Sequence, residues 1–313
     1  MSDSGMVVVI AGPTAGGKSG LALALAARLG GVIINADASQ LYADLRVLSA
    51  RPCAEEEGRV PHRLYGVVDG AVAMSAADWA GLAKAEIEAA LAAGRVPMLV
   101  GGTGLYVETL LHGIAPVPEI AGAVRDAVRA MTTADAVAAL GREDPVMAAR
   151  VSDRQRVLRA LEVVRGTGRS LAVWQQARAG GIAGQHDVRG LVVAPAREVR
   201  RAAAAARLEA MMAAGALDEV RALAARGLAA DLPVMKALGV GPLTAYLRGE
   251  TALADALALT LAATHQYQKR QMTWARGRLG SRLGGRLGGR LGGWTWLEGP
   301  DEEAAITSLQ WEK

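Results

Sequence analysis

The sequence predicts an α/β fold in which a parallel β-sheet core is interrupted by a helical insertion. Three observations predict it. A β-branched apolar run, Met6–Ala11, leads through a glycine-rich loop into uninterrupted helix formers. Further short apolar runs alternate with helix-length segments, the pattern of parallel strands joined by helical crossovers. Between residues 113 and 184 that alternation stops and only helical periodicity remains.

Met6–Ala11 (MVVVIA) reads as a buried parallel strand, since it is continuously apolar and ends at Gly12. Residues 19–29 follow as a helix closed by Gly30-Gly31. A second strand over 32–35 runs toward Asp37. A helix over 77–93 closes at Gly94, and a third strand over 96–100 opens into Gly101-Gly102-Thr103-Gly104. In the insertion, Val124, Ala127, Val128 and Met131 share one helix face; Val157, Leu158, Leu161 and Val164 share another, on a helix over 155–164. A strand over 191–194 resumes the sheet. Helices follow at about 198–226, 242–248 and 253–276, and Trp294–Leu297 is a short closing strand. Residues 277–293 repeat Arg-Leu-Gly-Gly nearly four times, too glycine-rich for a stable helix. A neutral loop expansion fits that segment, and so does a basic stretch that attracts RNA. The expected organisation is a core from 1–112 and 185–313 around an insertion from 113–184.

Composition narrows the class. Of 313 residues, 51% are hydrophobic and 21% charged, which describes a globular chain rather than a disordered one. A net charge of +4 permits a nucleic-acid partner without demanding one. The single cysteine, Cys53, excludes an internal disulfide and suits a reducing cytoplasm. His62, His112, His186 and His265 are scattered, without zinc-ligand spacing. No apolar stretch approaches the roughly 18 residues of a membrane span, and the N-terminus lacks the pattern of a signal peptide. The expectation is a cytoplasmic monomer with no membrane partner.

Gly12-Pro13-Thr14-Ala15-Gly16-Gly17-Lys18-Ser19 fits G-x4-G-K-[ST] between a strand and a helix, which makes the core P-loop NTPase-like. Small residues let backbone N–H groups converge on anionic oxygens. The helix N-terminus adds a positive field. Lys18 supplies a mobile cation, and the Ser19 hydroxyl is a Mg²⁺ ligand. ATP is the default occupant, yet any diphosphate satisfies the same donors. No apolar run ends in the second metal-binding carboxylate that a kinase uses. Sheets of this kind place chemistry at strand ends, where GPTAGGKS, DASQ and GGTG all fall.

Further motifs follow in order. They are Asp37-Ala38-Ser39-Gln40-Leu41-Tyr42, Ser75-Ala76-Ala77-Asp78-Trp79 and Leu99-Val100-Gly101-Gly102-Thr103-Gly104-Leu105-Tyr106. Then come DRQRVLRALEV at 153–163, Thr167-Gly168-Arg169, Leu217-Asp218-Glu219-Val220 and Lys269-Arg270-Gln271-Met272-Thr273-Trp274. With GPTAGGKS, this ordered set resembles the tRNA dimethylallyltransferase family over most of the chain.

The resemblance implies a P-loop that holds dimethylallyl diphosphate rather than ATP, with Mg²⁺ present. It implies an insertion that helps grip the tRNA anticodon stem-loop. The prenyl group would pass to N6 of the adenosine 3′-adjacent to the anticodon, in tRNAs reading U-starting codons, with release of pyrophosphate. The target base would be flipped into a channel. Because the N6 lone pair is delocalised into the ring, a base helps, and the resemblance gives Asp37 that role. Thr103 would donate to the bridging oxygen of the leaving group, while Lys18 and the 12–19 loop hold the remainder. Expected tRNA contacts are Asp37, Ala38, Ser39, Gln40, Arg125, Gln155, Arg156, Val157, Leu158, Arg159, Lys269 and Arg270; Ser19 is the expected metal ligand. Without the resemblance, Asp37 also suits a Mg²⁺ partner and Thr103 a plain turn residue. Gln155 with Arg159, and Lys269 with Arg270, also suit solvated helix faces.

Some positions depart from the family pattern. Asp37-Ala38 replaces an Asp-Ser pair, Ser49-Ala50-Arg51-Pro52 replaces Thr-Ala-Lys-Pro, and Val240 replaces an aromatic residue. After Pro195, Arg197 and Arg207 match the outer two of three arginines, while the middle one falls on Ala203. Arg200 and Arg201, on the preceding helical turn, are the candidates to substitute, and reduced activity is expected if neither does. Two other functions fit a P-loop protein: a small-molecule kinase and a non-catalytic RNA-binding protein. The insertion with DRQRVLRALEV argues against the first, and Asp37 with Thr103 against the second.

Overall fold

The computed structural model describes residues 5–279 and 293–310, so most of the 277–293 repeat lies outside it. The chain forms two compact units: Met1–Leu110 with Ile182–Lys313, and Leu111–Gly181.

In the first unit the sheet contains β1 (Met6–Ala11), β2 (Gly31–Asn35), β3 (His62–Arg63), β4 (Val96–Gly101), β5 (Asp187–Val193) and β6 (Thr295–Leu297). All pair in parallel, in the order β3-β2-β4-β1-β5-β6. β1 lies between β4 and β5 and is covered on both faces, which accounts for its unbroken apolar run. The chain leaves β1 toward β2 and β4 on one side, and later returns to β5 on the other. That reversal opens a crevice at the carboxyl end of β1, where residues 12–17 lie.

Helices α1 (Lys18–Leu29), α2 (Ala54–Arg59), α3 (Ala76–Ala92) and α4 (Gly104–His112) connect these strands. Leu21, Leu25, Ile10, Ile33, Met98 and Leu191 meet in the core beneath α1. In the second unit α5 (Gly122–Arg129), α6 (Thr133–Glu143), α7 (Pro145–Ala148), α8 (Arg154–Thr167) and α9 (Leu171–Gln176) enclose their own core, built on Val128, Leu140, Met147, Val157 and Leu161. Its first and last segments meet at an antiparallel bridge between Ile114 and Ala179. The first unit resumes after β5 with α10 (Arg197–Ala213), α11 (Ala216–Ala225), α12 (Val240–Leu247), α13 (Leu253–Arg278) and α14 (Glu302–Ser308).

The sequence expectation omits α2, α4, α6, α7, α9 and α14, and three further elements differ from it in kind or bounds. β3 is only two residues long, too short for any periodicity, and exists because it pairs with Ile33 and Ile34. β5 begins at Asp187, before its apolar run; there it pairs with Met6–Val8, and Asp187 is neutralised by Arg189 at 2.8 Å. The helical stretch over 198–226 breaks at Gly215, whose φ of 94° starts α11 in a new direction.

Candidate active site

The P-loop has the backbone its glycines allow. Gly17 caps α1 at φ 88°, and Ala15 also takes a left-handed φ of 55°. A Cβ at Gly12 would collide with the Val193 carbonyl of β5. Gly16 N–H closes the turn on the Pro13 carbonyl at 3.2 Å. Lys18 is partly buried, and its Nζ donates to the Pro13 carbonyl at 2.7 Å. Burial lowers the Lys18 ammonium to about 8; Asp37 opposes that shift and Arg207 adds to it.

The sign of this shift gives a testable pH dependence. Below about pH 8 the ammonium is already charged and meets an incoming diphosphate directly. Above it, binding must first take up a proton. Affinity for a diphosphate ester is therefore flat from about pH 7, above the phosphate's own pKa near 6, to about pH 8, and falls above it by up to about tenfold per pH unit. Titrating the dissociation constant against pH, with Lys18→Met as the flat control, measures the effect.

Asp37 follows β2 and is held from both sides by Asn35, which is fully buried. Asn35 Oδ1 accepts the Asp37 N–H at 2.8 Å, while its Nδ2 donates to the Asp37 and Leu64 carbonyls at 3.0 Å. The Asn35 carbonyl in turn accepts Trp79 Nε1 at 2.9 Å, and Trp79 stacks on Tyr106. The Asp37 carboxylate spends Oδ1 on the Ser39 N–H at 3.0 Å, capping a single 3-10 turn over Ala38–Leu41. Gln40 is turned onto the Ser49 and Ala50 carbonyls. Thr103 braces this platform. Its hydroxyl oxygen accepts the Ala38 N–H at 3.0 Å, and the same side chain is hydrogen-bonded to the Tyr267 phenol. Burial raises the Tyr267 phenol, which therefore stays protonated.

The cleft over the P-loop has a cavity volume of about 100 Å³. Its polar wall includes Thr14, Lys18, Ser19, Asp37, Ser39, Ser49, Arg207 and Tyr267, and its apolar wall Leu45, Leu48, Leu208 and Met211. Arg207 on α10 donates to Thr14 Oγ1 at 3.4 Å and to the Ser49 carbonyl at 3.5 Å. Burial lowers its guanidinium and Asp37 opposes the shift; an arginine keeps its charge regardless. On α13, Gln271 accepts the Thr14 N–H at 2.8 Å and donates to the Gly102 carbonyl at 3.0 Å. Gln268 donates to the Thr14 and Arg200 carbonyls, both at 3.0 Å. A Cβ on Gly102 would collide with Gln271, and one on Gly104 with Trp274. The GGTG turn is small because α13 packs directly on it.

Gln271→Leu keeps the volume but leaves two backbone groups beside the P-loop unpaired. A loss of about 2–6 kcal/mol is expected, from roughly 1–3 for each of the two unsatisfied buried groups. Chemical denaturation measures it, and pyrophosphate protection should weaken in parallel.

One expectation is corrected by α10. Arg200 and Arg201 do not replace the arginine missing at Ala203. Arg200 lies on nearly the same helix face as Arg207, but two turns or roughly 10 Å nearer the N-terminus, where it donates to the Pro195 carbonyl at 2.9 Å. With Arg197, Arg201, Lys269 and Arg276 it lines a second, basic cleft that also contains His265 and Trp296. Arg207 is the arginine that faces the P-loop. Lys269 is exposed in that second cleft, and Arg270 is exposed and stacks over Tyr267 at 5.5 Å.

The insertion residues divide. Val157, expected to touch RNA, is 1% exposed in the insertion core, and Leu158 packs against the same core. Both positions fall on the apolar side of α8, so Val157 is structural. Gln155 is exposed. Arg156 pairs with Asp153 at 3.2 Å, Arg159 with the buried Glu162 at 3.4 Å, and Arg125 with Glu119 at 3.9 Å.

A family model described as IPP transferase matches residues 40–278. The chain belongs to the IPP transferase family. As a family member it is 58% identical over 273 residues to the tRNA dimethylallyltransferase of Sphingopyxis alaskensis, covering 86% of this chain and 89% of that one. It is 49% identical over 272 residues to the Zymomonas mobilis tRNA dimethylallyltransferase, covering 86% and 87%. Among solved structures it is similar to the full-length tRNA isopentenylpyrophosphate transferase of Bacillus halodurans. That likeness has 29% identity and a TM-score of 0.68, over 97% and 94% of the two chains. A eukaryotic dimethylallyltransferase acting on tRNA aligns at 25% identity and a TM-score of 0.76, over 87% and 70%. This IPP transferase is an enzyme of the prenyltransferase class, with the P-loop NTPase-like fold of its structural neighbours.

The sequence reading missed Asn35, Arg207, Gln268, Gln271 and Tyr267 as site residues. Gln268 and Gln271 carried a signal: amides at i and i+3 share a helix face, and here that face is buried. Asn35 carried none, because it is a polar end to an apolar strand.

Proposed function

We propose that the protein transfers the dimethylallyl group of dimethylallyl diphosphate to N6 of the adenosine 3′-adjacent to the anticodon of tRNAs reading U-starting codons. The observation that carries this reading is one cleft lined by an anion cradle, a carboxylate and apolar side chains. A kinase needs the first two; a hydrocarbon-bearing diphosphate uses all three. The adenine nitrogen attacks C1 of the prenyl group as the C1–O bond breaks. The bond's electrons leave with pyrophosphate, and the nitrogen's proton passes to Asp37. Lys18, Arg207 and the loop amides stabilise the charge growing on the departing oxygens. The hydroxyl of Ser19 is a hard oxygen donor in the same cleft and would hold Mg²⁺ beside the diphosphate. When bound, that ion supplies further charge neutralisation on the diphosphate.

The basic cleft of Arg197, Arg200, Arg201, Lys269 and Arg276 supports a polyanionic partner, since five cations line it and all but the half-buried Arg200 are exposed. Burial, and after it the nearby Arg276, Arg197 and Arg201, lowers the Arg200 guanidinium. Among the described residues no helix is long and apolar enough to cross a membrane. We place the enzyme in the cytoplasm as a monomer, which light scattering with and without tRNA tests.

The deciding experiment supplies labelled dimethylallyl diphosphate and tRNA. Label should enter tRNAs reading U-starting codons. Incorporation that requires ATP and a small acceptor instead would sink the reading. Mass analysis of tRNA from a strain lacking the gene should show unmodified adenosine beside the anticodon.

A further inference from the structure

We propose that one face of α10, ending at Met211, limits the transferred chain to five carbons. This rests on the prenyl-transfer reading above. Ala204, Arg207, Leu208 and Met211 all line the P-loop cleft. Their spacing of i, i+3, i+4 and i+7 puts them in a single stripe. Arg207 donates to Thr14 Oγ1 of the P-loop, so this point of the stripe is tied to the diphosphate end. Met211 lies one turn farther along, about 6 Å of helix rise. A dimethylallyl group reaches roughly 5 Å from its ester oxygen to its terminal methyls, at roughly 1.2 Å of advance per bond. It fits within one turn. A ten-carbon chain, about twice as long on the same measure, runs into the Met211 thioether.

The opposite wall cannot yield instead. It consists of Leu45 and Leu48, both buried, on the segment that follows the Asp37 turn. One carboxylate pins that segment. Glu219 of α11 accepts the N–H groups of Arg46, Val47 at 2.9 Å and Leu48 at 2.8 Å. Behind Leu48, a Cβ on Gly239 would lie 3.1 Å from Leu48 Cδ1 and 3.2 Å from Thr260 Cγ2, so the leucine packs closely on the Gly239 backbone. Met211, like Leu208, is only half-buried; it is the farther of the two from Arg207 along the helix, and its size can change without breaking the packing around Glu219.

The test compares kcat/KM for dimethylallyl and geranyl diphosphates, with tRNA as acceptor, in wild type, Met211→Ala and Met211→Trp. Wild type should favour the five-carbon donor. Met211→Ala should lower that preference at least about tenfold, the scale on which pockets discriminate alkyl groups. Met211→Trp should cut dimethylallyl transfer by a similar factor, while inorganic pyrophosphate still binds within about twofold and so reports an intact P-loop. An unchanged preference in Met211→Ala overturns the proposal, as does a Met211→Trp enzyme that transfers dimethylallyl as wild type does. A wild-type enzyme inactive with dimethylallyl diphosphate removes the underlying reading, and the proposal with it.

Discussion

Replacing Asp37 with alanine lowers turnover by about two to four orders of magnitude, the usual contribution of a positioned general base, and leaves tRNA binding nearly intact. The carboxylate lies at the end of β2, in the cleft that also contains Lys18, Arg207 and Ser19. Its backbone is locked by the buried Asn35, and Oδ1 is occupied by the Ser39 N–H. Two losses therefore need separating. Asp37→Ala removes both the base and a cap worth about 1 kcal/mol. Asp37→Asn keeps an oxygen for Ser39 but cannot take a proton. Both variants should show the same fall in single-turnover prenylation, and only Asp37→Ala a lowered melting temperature. Normal turnover by Asp37→Asn would end the assignment of Asp37 as base.

Arg207→Ala carries the second large effect. Arg207 is the guanidinium that reaches Thr14 of the P-loop and the Ser49 carbonyl across the cleft. A charge-assisted hydrogen bond from this guanidinium to a bound diphosphate would contribute about 1.5–3 kcal/mol, so the KM for the diphosphate should rise roughly 10- to 150-fold. Turnover should fall as well, because charge grows on the departing pyrophosphate; removing one preorganised donor of this type costs about 10²–10³ in kcat. Arg207→Lys should recover only part of either, since an ammonium lacks the planar fork. A second readout is specific to the charge. Arg207 is one of the groups that lower Lys18. Without it the alkaline fall in diphosphate affinity shifts to higher pH. Equivalent losses in Arg200→Ala would show that the arginine had been wrongly chosen.

Legibility in the sequence followed the range of the interaction. Met6–Ala11, the P-loop and α1 could be read because each depends on neighbours in the chain: apolar residues for a doubly covered strand, small residues for a cradle, helix formers after it. The same holds for Asp37, which follows a strand and caps its own turn. β3 was not legible, because two residues become a strand only through Ile33 and Ile34. Val157 shows the opposite error. Its place within a basic motif suggested RNA, but the helical period turns it into the insertion core while Gln155 faces out.

The sequence by itself determined the parallel α/β core, the anion cradle and the family, since these reside in short ordered motifs. Tertiary structure alone decided how the cradle is completed. Gln271 meets Thr14 across 257 residues of chain, and Arg207 meets it across 193. Arg200, two turns earlier on the same helix, opens onto a different cleft. A helix turns about 100° and rises about 1.5 Å per residue, so which of several nearby arginines reaches a given point depends on where the whole helix is docked. That docking is set by contacts between α10, α13 and the P-loop, which no local pattern in the chain contains.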